Sequence, residues 1–129
     1  MNIEAFREYC LIKKGVTEAF PFDESTLVFK VGGKLFALTD ITQFVSVNLK
    51  CDPERAIELR ERYNGVKPGW HKKNRQVLIK RVPERALGIN NTVSVDSDVP
   101  EPLLRELIDH SYNAVINSLP KKLKNELQA

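Results

Sequence analysis

Two adjacent glycines, Gly32-Gly33, stand between two apolar-rich runs of equal length, Thr26-Leu27-Val28-Phe29-Lys30-Val31 and Lys34-Leu35-Phe36-Ala37-Leu38-Thr39. Glycine tolerates the positive φ angles that a two-residue type I′ turn requires, so the spacing predicts a tight β-hairpin over residues 26–39. A straight register opposes Val31 with Lys34, Phe29 with Phe36 and Leu27 with Leu38. Two large apolar pairs then share one face.

Further strands follow from alternation. Val45, Val47, Leu49 and Cys51 alternate with Ser46, Asn48 and Lys50 across residues 44–51. Val93 and Val95 alternate with Thr92, Ser94 and Asp96. This pattern predicts an antiparallel sheet with one face buried and one face wet. Helices are expected at residues 3–14, with Asn2 as N-cap, Lys13 and Lys14 in the last turn and Gly15 beyond it. A second helix is expected from Pro53 to Tyr63, capped by Asp52, carrying a Glu58–Arg62 pair and ended by Asn64-Gly65. A third begins near Pro100 with a Leu104, Leu107, Ile108, Val115, Ile116, Leu119 stripe, and a short fourth runs from Lys121 to Leu127. Residues 77–82 can form a strand and residues 84–91 a turn or short helix. Phe20-Pro21-Phe22-Asp23 reads as a core-anchoring loop.

The 129 residues are one domain's worth of chain. No stretch of 18 apolar residues is present, which argues against a membrane span. The N-terminus lacks a basic region followed by an apolar one, so no secretory signal is expected. Cys10 and Cys51 then read as reduced thiols in a cytoplasmic protein.

Charge is unevenly distributed. Residues 1–64 carry a net −1, residues 86–129 a net −2, and residues 65–85 a net +6 within a total of +3. The basic segment contains Lys67, Lys72, Lys73, Arg75, Lys80, Arg81 and Arg85 against Glu84 alone, with Trp70 and His71 beside them. Such a segment favours anionic partners: lysine and arginine neutralise phosphates, and an aromatic can stack. Lys30, Ser46, Asn48, Lys50, Thr92 and Ser94 are expected on the wet sheet face.

Catalytic constellations are weaker. Gly33-Lys34 is followed by Leu35 rather than Ser or Thr, unlike a phosphate loop. Asp109-His110-Ser111 holds triad residue types, but adjacent helical residues point about 100° apart, so the run reads as a helix surface with a polar edge. His71, His110 and the two cysteines lack zinc-site spacing. No enzymatic activity, cofactor or metal is expected. A pocket lined by Trp70, His71 and Tyr112 is the enzymatic alternative.

Taken together, Phe20-Pro21-Phe22-Asp23, the hairpin, Val47-Asn48-Leu49-Lys50-Cys51 before a Pro-Glu helix, Val66-Lys67-Pro68-Gly69-Trp70-His71, Leu107-Ile108-Asp109-His110-Ser111-Tyr112 and Leu119-Pro120-Lys121-Lys122-Leu123 resemble the MmcQ/YjbR family of small bacterial proteins. The resemblance covers residues 1–71 and 91–129. It implies an α+β, CyaY-like two-layer sandwich, a twisted antiparallel sheet with helices on one face. It also implies DNA binding, by fold-level likeness to a double-wing DNA-binding domain. Residues 72–90 depart from the family pattern: the family's Asn-Lys-x-His-Trp turn is replaced by Lys72-Lys73-Asn74-Arg75-Gln76-Val77. The expectation is one domain over residues 1–129, with an atypical segment at about 72–90. It is a monomer or weak homodimer that binds double-stranded DNA through Lys30, Lys50, Lys67, Trp70, His71, Lys72, Lys73, Arg75, Lys80 and Arg81. The alternative is a protein-interaction module that presents the 72–90 segment as an edge strand.

Overall fold

The computed structural model describes residues 1–68 and 91–128. Six strands form one antiparallel sheet: β1 (Val16–Ala19), β2 (Thr26–Val31), β3 (Lys34–Asp40), β4 (Ser46–Leu49), β5 (Val66–Pro68) and β6 (Asn91–Ser94), in the order β1-β2-β3-β4-β6-β5. The described helices are α1 (Ile3–Leu11), α2 (Pro53–Arg62), α3 (Glu101–Ser118) and α4 (Lys121–Gln128). The expected strand at 77–82 lies outside the described residues, as does the turn or short helix expected at 84–91 except for its last residue, Asn91, which opens β6.

The Gly32-Gly33 turn forms with φ of 59° and 81°, the doubly positive geometry of a type I′ turn. Val31 opposes Lys34 as expected and the straight register holds through Lys30, but it fails between Lys30 and Phe29. Lys30 opposes Leu35, Phe29 opposes Ala37 and Leu27 opposes Thr39. Phe36 is the extra residue of a β-bulge. The displaced Phe36 carbonyl has a partner, since it accepts from the Ser111 hydroxyl of α3. The bulge also leaves Phe29 and Phe36 both fully buried, with ring centroids 6.5 Å apart.

The layer arrangement is α+β, with α1, α2 and α3 packed on one face of the sheet. Phe6 and Cys10 of α1, Ala56 and Leu59 of α2, and Leu104, Leu107, Ile108, Val115 and Ile116 of α3 share one core with Leu27, Phe29, Val31, Ala37, Val47, Leu49, Val66 and Val93. Phe6 meets Phe29 edge-on at 5.6 Å. The opposite face is not uniformly wet. Val28 and Leu38, neighbours in one cross-strand row, are both buried. Their strands are continuous apolar runs, the signature of burial on both faces, and alternation holds only in β4 and β6.

Several boundaries differ from the sequence reading. Helix α1 ends at Leu11, and Gly15 (φ 77°) turns the chain into β1, a strand the sequence pattern did not mark. Lys13 therefore lies beyond the helix; it pairs with Asp109 and sits over the rings of Tyr9 and Tyr112. Val45 is 65% exposed because β4 begins only at Ser46. Phe20 is likewise exposed rather than anchored in the core. The caps behave as read: Asn2 accepts from the Ala5 N–H and Asp52 from the Arg55 N–H. No Glu58–Arg62 ion pair forms among the described residues, and Arg62 lies over the Tyr63 ring instead. Ser111 is no helix-surface residue but fully buried, because its hydroxyl joins α3 to β3 and β4.

Candidate nucleic-acid interface

The sheet face away from the helices carries a polar band on its β4-β6-β5 side. Cross-strand pairing aligns Asn48, Thr92 and Lys67 in one row, and Ser46 with Ser94 in the next. The Thr92 hydroxyl donates to the Asn48 side-chain oxygen at 2.5 Å, so the centre of the band is internally tied and half-buried. Lys67 is exposed on edge strand β5, whose Pro68 lacks an N–H and discourages further strand pairing there.

Lys30 belongs to the same face. On β2 it alternates with the core residues Phe29 and Val31 and points with Val28. Four strand spacings separate β2 from β5, so Lys30 and Lys67 stand about 19 Å apart across the sheet. That exceeds the roughly 12 Å width of a B-DNA major groove. Two such lysines suit phosphates on separate backbones better than a single base step.

Lys50 does not share this face. It follows the last residue of β4, where alternation lapses, and it lines a groove with Asn113, Ala114 and Asn117 on the helix side. Its ammonium is held below the usual lysine range, first by partial burial and then by the nearby Lys34.

Trp70, His71, Lys72, Lys73, Arg75, Lys80 and Arg81 lie outside the described residues, as does the 72–90 edge strand of the protein-interaction alternative. The attachment points of this stretch are fixed, however. Pro68 and Asn91 are register partners, so the chain leaves and re-enters the sheet at one place, one residue from Lys67 and Thr92. Asn91 is buried at that junction; its Nδ2 donates to the Ala56 carbonyl at 3.4 Å and its Oδ1 has no hydrogen-bond partner among the described residues. On the neighbouring turn Asp98 accepts the Asn64 and Gly65 N–H groups at 2.7 Å each. These two bonds, with Lys67 close by, hold its carboxyl below the usual carboxylate range.

Tyr112, of the enzymatic alternative, has a packing role. Its hydroxyl donates to the Lys14 carbonyl at 2.6 Å and its ring meets Phe36 edge-on. Among the described residues no three His, Cys, Asp or Glu side chains group to hold a metal ion, and no helix is long and apolar enough to cross a membrane.

The fold and these faces define a class: an open six-stranded antiparallel sheet backed on one side by helices, with a polar, lysine-flanked band on the other. Sequence and structure comparisons narrow the class. The YjbR family model matches residues 11–114, and the chain belongs to that family. It is 32% identical over 104 residues to protein YbdF of Escherichia coli O157:H7, covering 80% of this chain and 75% of that one. It is 27% identical over 128 residues to YjbR of Escherichia coli K12, covering 98% of both. The crystal structure of Deinococcus radiodurans protein DR2400 superposes with a TM-score of 0.80 at 36% identity, over 98% of this chain and 88% of that one. A Pseudomonas syringae protein shares the fold, with a TM-score of 0.63 at 21% identity, over 88% of this chain and 98% of that one.

Proposed function

We propose that the chain is a non-enzymatic, cytoplasmic DNA-binding module that grips phosphates and reads little sequence. One observation carries this reading. The most cationic segment, a net +6 over residues 65–85, begins with exposed Lys67 at the margin of the polar band, and the chain rejoins the sheet there at Asn91. Clustered cations, one of them Lys67 fixed at the sheet edge, concentrate positive potential where a polyanion can lie. Phosphate contacts position a protein on the duplex without specifying bases.

Fluorescence anisotropy with two unrelated duplexes tests this. Both should bind with similar affinity, and log K should fall linearly with log salt, by about 0.9 per phosphate neutralised. Lys67→Glu should weaken both duplexes alike. Replacing Lys72, Lys73 and Arg75 with Gln should lower the salt slope by about one per phosphate contact removed. Binding that ignores salt, or none at about 50 mM salt, refutes the proposal.

A further inference from the structure

The groove that receives Lys50 has no part in the DNA reading, because it opens on the helix side of the sheet. Its volume is about 400 Å³, at the lower end of the range for small-molecule sites. Its wall is a stripe of α3. His110, Asn113, Ala114 and Asn117 follow one another at helical spacing on one face, while Ser111, Val115 and Ile116 of the same helix face the core. Ala114 leaves room at the centre, and an asparagine stands on either side of it.

The opposite wall is Lys50, Cys51 and Asp52, and it is rigidly placed. The Lys50 N–H donates to the Ser111 hydroxyl at 2.8 Å, and the Asp52 N–H donates to His110 Nε2 at 3.1 Å. Arg55 Nη1 lies 3.3 Å from His110 Nδ1. A neutral imidazole accepts at one nitrogen only, so two donors compete for this ring. The Asp52 carboxylate is committed to capping α2 through the Arg55 N–H, and Arg55 itself is paired with Glu106.

The Asp52 carboxylate keeps its charge while it caps α2, but it forms no ion pair with Lys50. The Lys50 ammonium is half-buried with no carboxylate in ion-pair range among the described residues. Lys34, which acts on Lys50 as a like charge, donates to the Ser118 carbonyl at 3.4 Å and its hydroxyl at 3.3 Å. Partial burial and a like-charged neighbour both disfavour the charged form of Lys50, and an anion in the groove would offset them.

We propose that this groove binds a phosphate dianion, with Lys50 as its counter-charge and the side-chain amides of Asn113 and Asn117 as donors. A lysine is a phosphate ligand that acts as a point charge, and two flanking side-chain amides supply further donors for a group with several acceptor oxygens. The same chemistry could be offered by free phosphate or by the phosphate of a small ester.

The test is an amide NMR titration of the full chain with inorganic phosphate, with a nucleoside monophosphate and with acetate, each against sodium chloride at equal ionic strength. Phosphate or the monophosphate should shift the Lys50, Cys51 and Asp52 amides and the Asn113 and Asn117 side-chain amides. The stronger of the two identifies the source. Lys50→Met should weaken binding about tenfold, the loss of one charge-assisted bond, while Lys50→Arg should keep it. Ala114→Leu fills the groove without changing charge and should abolish binding, so the test survives if Lys50→Met fails to fold. Equal shifts from acetate overturn the proposal. So do phosphate shifts spread over exposed Lys121 and Lys122, or unchanged binding in Ala114→Leu.

Discussion

Ser111→Ala is expected to be among the most costly single-atom deletions in this chain. The hydroxyl is fully buried and works in both directions: it donates to the bulged Phe36 carbonyl and accepts the Lys50 N–H at 2.8 Å. Removing it leaves a backbone acceptor and a backbone donor without that partner. A buried polar group left unpaired costs about 1–3 kcal/mol. The Phe36 carbonyl lies in the core and should carry the full penalty. The Lys50 N–H borders the groove, where water can replace part of the bond. The sum is about 2–4 kcal/mol, of which the lost oxygen's own packing is a minor part. For a domain of this length that is roughly a 10 °C fall in Tm, or a urea midpoint lower by about 1–2 M. Circular dichroism melts and urea titrations measure it, with exposed Ser118→Ala as the control. A loss below about 0.5 kcal/mol, the range of an ordinary surface substitution, would refute the idea that Ser111 clamps the bulge.

The two turn glycines should differ. Both have positive φ, which costs an L-residue about 1–2 kcal/mol, but a Cβ on Gly32 would also stand 2.6 Å from a Leu119 methyl while Gly33 faces open space. Gly32→Ala should therefore destabilise more than Gly33→Ala in a denaturant titration, and equal losses would show that Leu119 yields freely. For Asp98 the sign follows from its lowered carboxyl value. Its stabilisation is present above the unfolded-state value and disappears as pH falls through the lower folded-state one. Asp98→Asn should reduce stability at neutral pH and flatten the acid side of the stability–pH curve. An unchanged acid limb would contradict the role given to the Asn64 and Gly65 N–H groups.

How much of this was legible in the sequence differs from feature to feature. The turn, the two caps and the alternation of β4 and β6 are local: each depends on neighbours a few residues away, so residue type and spacing suffice. The α+β class and the family resemblance follow from the order of such units. Register was not local. A straight hairpin satisfies Gly32-Gly33 as well as a bulged one, and the choice rests on Ser111, 75 residues from the Phe36 carbonyl it binds. The cationic segment was visible as composition, but its tether became clear only when Pro68 was paired with Asn91.

The sequence alone determined that an antiparallel sheet would carry helices and that charge would concentrate near residues 65–85. Tertiary structure decided which face each lysine serves. Lys30 and Lys67 obey strand alternation and stay on the open face. Lys50 stands one residue beyond its strand, where alternation no longer dictates direction. Packing against α3 sends it instead to the groove beside His110, Asn113 and Asn117.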